Sequence, residues 1–460
     1  MPRSPPPAAP ANDSGMSAPA PQTTPQFRWY LTGASAWFVA FGIQQVMFTY
    51  LVTTVLHAPA NQIGLAQASL TLASAGLLLV GGAVADQIDT RRLLLICHAA
   101  AMVPALVLAL VVGMGWLRYE WLLVYGLFMG MITAFILPAR EAMMGDVIGP
   151  DGGHARIQRA VTTMVGIGFL GQIAGMLTAR LAASVGAAPI ILLQAVVQAV
   201  GVASTLRLKP STRHTDHADP DGGNQIARIK AGWREVRSSY ALFPVTILTL
   251  AIGVLYIGAF LVILPVILRE EFGGNVQLFS TMQVKFWGGS IISSLAISRI
   301  GNIVHRGRFI IGAVTSGMVS LALMSFKAPL IVLYGLVFWW GLGAGVMISM
   351  SRTIVQEHAP PAHRARVLSI YQLGFTGGMS VGALIVGFVV DALGARTSTL
   401  VPGGPAAARS PRGGLSAPRP CKTCRHAGFT ALEGPRPCPR RDLHSLNFSS
   451  SSASSPFLPR

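Results

Sequence analysis

Apolar runs of about 20 residues, separated by short polar turns, recur along the chain from Trp29 to Val390. A run of that length crosses a hydrocarbon core of about 30 Å as a helix. The pattern predicts eleven such spans: Trp29–Leu51, Gln62–Ala85, Leu93–Gly113, Trp121–Pro138, Ile157–Ser184, Ala187–Leu206, Leu242–Leu268, Leu278–Ser298, Phe309–Phe326, Leu330–Met350 and Val367–Val390. Residues 1–26 are rich in Pro, Ala, Ser and Thr without periodicity and are expected to form a disordered leader. They lack the short apolar core and small-residue cleavage site of a signal peptide.

The longest internal connection, residues 207–241, divides six spans from five. Its first part, with Pro210, Asp216, Asp219, Pro220, Gly222 and Gly223, is a linker. In its second part Ile226, Ile229, Trp233 and Val236 recur at three or four residues, forming an apolar stripe beside a basic face. Such a helix suits the inner membrane surface. The expected organisation is therefore a leader (1–26), a six-span bundle (27–206), a linker (207–241), a five-span bundle (242–396) and a tail (397–460).

Charge fixes the orientation. With the N-terminus inside, the inner loops hold Arg91 and Arg92; Arg140, Arg156 and Arg159; Arg207 through Arg237; Arg299, Arg306 and Arg308; and Arg352, Arg364 and Arg366. The outer loops and span ends hold only Arg118, Arg180, Arg269 and Lys327. Basic loops alternate with poor ones, as the positive-inside rule requires.

Composition agrees with this reading. Of 460 residues 52% are hydrophobic and 11% charged, with a mean hydropathy of +0.55. A soluble domain carries about 25% charged residues, so a soluble enzyme, a nucleic-acid-binding domain and a disordered protein are excluded. Of the net +18, residues 397–460 contribute +7 from nine basic and two acidic residues. Cys97 lies in an apolar run and the other three cysteines in the tail, which implies no disulfide framework. The tail residues Cys421, Cys424, Cys438 and His444 are metal-ligand types, but nothing around them builds a small domain, and no metal site is expected.

The two halves repeat. Around span 4 the order is Gly130, Arg140, Glu141, Pro150 and Arg156; around span 10 it is Gly341, Arg352, Glu357, Pro361 and Arg366. Span 5 carries Gly166, Gly171 and Gly175 and ends Gly186-Ala187; span 11 carries Gly374, Gly378 and Gly382 and ends Gly394-Ala395. These are parallel repeats of the kind that build two-bundle transporters. By the repeat a twelfth span should begin near residue 397, where Pro, Arg and Ser set in instead. The expectation is a frameshifted or truncated reading of the gene after Arg396.

The loop Gly82-Ala-Val-Ala-Asp86-Gln-Ile-Asp-Thr-Arg91-Arg92 resembles the signature loop of the major facilitator superfamily, with Gln87 and Asp89 departing from its pattern. Phe135-Ile-Leu-Pro-Ala-Arg-Glu-Ala142 and the Gly-rich span 5 resemble the enterobactin-exporter and macrolide-efflux branch. The resemblance covers Trp29 to Arg396. It implies an all-α polytopic fold of two six-span bundles, the second here lacking its last span, and a multi-pass protein of the bacterial inner membrane. It also implies export of a bulky small molecule, a siderophore or a drug, by alternating access. Protons are the candidate coupling ion and a monomer the expected state, with no cofactor and no nucleic acid partner. The rival readings are a membrane protein that no longer transports and an uptake transporter of the same fold.

In the superfamily the loop of Gly82, Asp86, Arg91 and Arg92 latches the inner gate against the start of span 11. The alternative is topology alone. Spans 1, 4, 7 and 10 line the cavity there, making Gln44, Gln45, Tyr256 and Trp340 the candidate lining. The alternative is interhelical hydrogen bonding and interface belts, which also suits Gln194, Gln198 and Trp339. Lys285 in span 8 is either a counter-charge for an anionic substrate or a snorkelling residue. Gly168, Gly171 and Gly175 lie on one face of span 5 and permit close helix approach; Gln172 stands where efflux members carry Pro. No Asp or Glu lies at a span centre, no phosphate-binding Gly-rich loop with Lys occurs, and no catalytic triad is present. An ATP-driven pump and an enzyme are thereby excluded.

Overall fold

Each predicted apolar run is a helix in the structure, a computed structural model that describes residues 24–148, 154–210, 233–300, 306–360 and 364–401. The helices are α1 (Pro25–Tyr50, continued by a π turn, Leu51–Val55), α2 (Ala60–Gln87), α3 (Thr90–Gly113), α4 (Tyr119–Ile148), α5 (His154–Ala179) and α6 (Ala187–Leu206). In the second half they are α7 (Leu242–Phe272), α8 (Val276–Ile300), α9 (Arg306–Leu323), α10 (Leu330–His358) and α11 (Arg364–Leu393). Eight of these segments are long and apolar enough to cross a membrane. Among the described residues there is no strand.

Local chemistry sets several ends. The Thr24 hydroxyl accepts from the Phe27 amide before Pro25, giving α1 a capped start with proline in its first turn. The Asp89 carboxylate accepts from the Arg91 amide at 3.1 Å and caps α3. Two helices outrun their apolar spans: α4 continues through Pro138 to Ile148, and α10 runs past Met350 to His358. Hydropathy marks the hydrocarbon boundary, whereas a helix ends where its hydrogen-bond ladder is stopped. α5 instead stops at Ala179, before a separate turn at Ala182–Val185.

Helix packing repeats between the halves. α1 packs on α5, α2 on α4 and α3 on α4; correspondingly α7 packs on α11, α8 on α10 and α9 on α10. A side chain at Gly175 would collide with the Val39 carbonyl of α1, and one at Gly382 with the Val254 carbonyl of α7. The turns after α5 and α11 also match: Gly186 has φ +88° and Gly394 φ +81°, and a helix begins at Ala187 and at Ala395. α6 covers α1 and α3. At the position equivalent to α6 the described residues contain only the single helical turn Ala395–Ser398.

Two expectations need correction or limits. Val236 is fully buried with Leu242, Val355, Val367 and Tyr371, so this end of the linker's apolar stripe packs into protein rather than onto the membrane surface. The cleft between the ends of α7, α10 and α11 is apolar enough to receive it. Ile226 and Ile229, the leader before Thr24 and the tail after Val401 lie outside the described residues.

The repeated glycine contacts predict a selective stability effect. Gly175→Ala should cost about 1–3 kcal/mol, as overpacking does, and lower the melting temperature of purified protein. Gly166→Ala, with open space around its Cα, should leave it unchanged.

Candidate functional site

The two π-helical stretches of α7, Gly253–Ile257 and Ala259–Ile263, lie where α7 meets the glycine face of α11. Such extra-wide turns are frequent at functional sites. Here they carry Tyr256 and Phe260, which line a cavity of about 100 Å³. Phe286 and Trp287 of α8, Trp340 of α10 and Phe375 of α11 complete its aromatic wall. Ring centroids lie 4.2 Å apart for Phe260–Phe286, 5.6 Å for Phe286–Trp340 and 6.2 Å for Tyr256–Trp340. Gly317 sits against the Tyr256 and Trp340 rings, where a larger residue would push them into the cavity. The Tyr256 hydroxyl donates to the Val314 carbonyl at 2.9 Å.

No charged side chain lines this cavity among the described residues. Gln45 of α1 is the one lining residue from the first half. Its amide has no hydrogen-bond partner among the described residues, and the buried indole N–H of Trp287 has none either.

Three of the predicted lining residues, Gln45, Tyr256 and Trp340, come together here. Gln44 is buried but lies outside the lining. Lys285 is exposed on α8 and also outside it, because one residue along a helix turns the side chain by about 100° from that of Phe286. Attention to spans 1, 4, 7 and 10 passes over Phe286, Trp287 and Phe375 on α8 and α11, and Phe260 of α7 has the same sequence signal as its apolar neighbours. Gln194 donates to the Tyr125 hydroxyl at 2.8 Å, and Gln198 shares a 2.8 Å hydrogen bond with His98, a buried imidazole that the sequence reading passed over. Gly168 and Gly171 receive the Phe38 side chain of α1, over which the Arg140 guanidinium lies at 4.4 Å.

The predicted gating loop divides its work. Arg91 donates to the last carbonyls of α6, Leu206 at 2.6 Å and Thr205 at 3.3 Å, and so closes that helix. Arg92 is exposed, and the space around Gly82 is open. Asp86 lies in the last turn of α2; its side chain is outside the described residues.

The opposite end of the molecule, where α1 turns into α2, is clamped. The Asp391 carboxylate at the end of α11 accepts from the Ala60 and Asn61 amides, both at 3.0 Å, capping the N-terminus of α2. Arg269, from the end of α7, donates to the carbonyls of Ala58 at 2.6 Å and Thr53 at 3.3 Å. Between these grips His57 adopts φ +49°, a left-handed conformation that a side chain disfavours. Thr54 bonds to the Gly274 carbonyl, and Arg180 to the Thr281 hydroxyl. Arg396 holds Glu271 with a two-pronged ion pair and also reaches the Met324 and Phe326 carbonyls, fastening the second half's own helix ends. Among the described residues every hydrogen bond between the halves lies at this end or, as for Ser380 and Thr71, near mid-depth.

Residues 16–407 match the MFS_3 family, the transmembrane secretion effectors. The chain belongs to that family. Solved structures similar to this chain include a mutant of the nucleoside transporter NupG (16% identity over 82% of this chain and 96% of that one, TM-score 0.68). A POT family transporter in complex with 5-aminolevulinic acid is also similar (14%, 83% and 93%, 0.63). So is a bacterial homologue of the human lysosomal transporter Spinster, inward-facing and unoccupied (13%, 80% and 83%, 0.59). No curated protein sequence matches. At these identities the likeness is one of fold, and with the family it makes the chain a membrane transporter of the major-facilitator type.

The clamp yields a direct prediction. Asp391→Asn removes the charge from the cap on α2, worth about 1 kcal/mol, or about a fivefold change in a two-state equilibrium. Spin labels at Met114 and Phe326, exposed at this end on opposite halves, should show the longer separation about fivefold more populated in the variant. An unchanged distance distribution would show that the cap does not hold the halves together.

Proposed function

We propose that the protein is a secondary transporter that exports a bulky, drug- or siderophore-sized molecule by alternating access, as a monomer in a bacterial inner membrane. The observation that carries this reading is a cavity against the seam between two repeated helix bundles, with the hydrogen bonds between the bundles gathered toward one end among the described residues. The end away from the clamp carries Arg91, Arg92, Arg140, Arg207, Arg299, Arg306, Arg308 and Arg352, and by the positive-inside rule it faces the cytoplasm with the N-terminus. The clamp then closes the outer side, and the cavity loads from within.

α2 and α11 pack against each other in opposite directions. Asp391, at the outer end of α11, caps the N-terminus of α2; Asp86, in the last turn of α2, is the matching acid proposed for the inner end. In this reading the two caps alternate, Asp391 holding the outer gate shut in one state and Asp86 the inner gate in the other. Protons are the coupling ion assigned here.

Energised inside-out vesicles test the scheme. Lipophilic dye should accumulate inside them, and a proton-gradient collapser should abolish the accumulation. Dye taken up instead by right-side-out vesicles would establish uptake. Asp86→Asn should greatly reduce accumulation at equal protein level, whereas Lys285→Met, outside the cavity, should leave it unchanged. Full activity of Asp86→Asn would remove the inner cap from the scheme.

A further inference from the structure

Resting on the reading of this cavity as the transport site, we infer that it takes an uncharged, ring-bearing lipophile carrying a hydrogen-bond acceptor, and that Gln45 reads that acceptor. The wall supplies aromatic faces and edges but no charge among the described residues. An anion entering it loses its hydration and meets no cation; Lys285, the nearest candidate in sequence, is on the outer surface of α8. A cation fares only partly better. Contact with an aromatic face recovers up to about thirtyfold in binding, while stripping an ion of water costs about two or more powers of ten. With no carboxylate to make up the difference, the uncharged ligand is favoured over either ion.

The polar atoms left over define the ligand's second feature. Tyr256 spends its hydroxyl hydrogen on the Val314 carbonyl. The Gln45 amide has no partner among the described residues, and the Trp287 indole N–H is buried without one. Gln45 is only half-buried on the cavity lining, so its unpaired amide is open to a ligand oxygen or comparable acceptor; the Trp287 indole N–H, a buried polar group of the kind ordinarily hydrogen-bonded, is a second unpaired donor on the same lining. Gln45 is also the first half's one contribution to the lining among the described residues. A ligand bonded to it and stacked on Trp340 would join the two halves, so the residue that selects the acceptor also ties binding to the approach of the bundles.

Four probes of related shape separate these features: triphenylphosphine oxide (uncharged, with an acceptor), triphenylmethane (uncharged, without one), tetraphenylphosphonium and tetraphenylborate. Binding is measured by equilibrium dialysis with the full chain in nanodiscs, subtracting empty nanodiscs. Triphenylphosphine oxide should bind at least about tenfold more tightly than either ion. Gln45→Leu should weaken it about fivefold, the worth of one hydrogen bond, while leaving triphenylmethane unchanged, which also shows that the variant is folded. The inference is overturned if either ion binds as tightly as the oxide. It is equally overturned if Gln45→Leu affects both neutral probes alike or neither, or if no probe binds. Dialysis needs no gradient, so a protein that binds the oxide as described but moves nothing in vesicles upholds this inference while the transport reading fails.

Discussion

The seam between α2 and α11 is the constraint on which the rest of the structure depends. Near its clamped end the two backbones touch: a side chain on Gly64 would strike the Ala383 carbonyl, and one on Gly387 the Ala60 carbonyl. At that separation the Asp391 carboxylate reaches two backbone amides of α2 at once. An N-terminal turn has four amides without helical partners, which need acceptors from elsewhere. Here the satisfying group belongs to the other half of the molecule, so completing one helix and joining the two bundles are the same event.

The same economy explains where strain is held. Ala58 is gripped through its carbonyl by Arg269, and Ala60 through its amide by Asp391, with His57 just outside the pair in a left-handed conformation. A turn fixed from both sides by the opposite half can sustain a conformation that it would not hold alone. Release of either grip frees the turn, which makes this short stretch the natural place for a change of state. The cavity lies on the other side of the seam, built almost wholly from the second half, with Gln45 as its link to the first.

Much of this was legible in the sequence because the bilayer leaves few choices. Span length, loop charge and the glycine repeat each follow from a single physical demand, and Gly175 and Gly382 occupy equivalent contacts in the structure. Gln45, Tyr256 and Trp340 could be chosen because polar and aromatic residues stand out in apolar runs. Phe260, Phe286 and Phe375 could not, since a phenylalanine facing a cavity has the same sequence signal as one facing lipid. Asp391 and Arg269 were visible only as charges near span ends. Their partners are backbone atoms more than 200 positions away, and no local pattern encodes such a pairing. The fate of Lys285 turned on one helical step, which hydropathy does not resolve.

The central claim is that the cavity faces one side of the membrane at a time. It is tested most directly by a single cysteine in place of Ala344, a lining residue, with Cys97, Cys421, Cys424 and Cys438 changed to Ser. A membrane-impermeant thiol reagent is applied to right-side-out and to inside-out vesicles. The account predicts labelling from the cytoplasmic face in the otherwise native protein, with labelling from the outer face emerging when Asp391→Asn loosens the clamp. Simultaneous labelling from both faces of the otherwise native protein, or a pattern indifferent to Asp391, would contradict it.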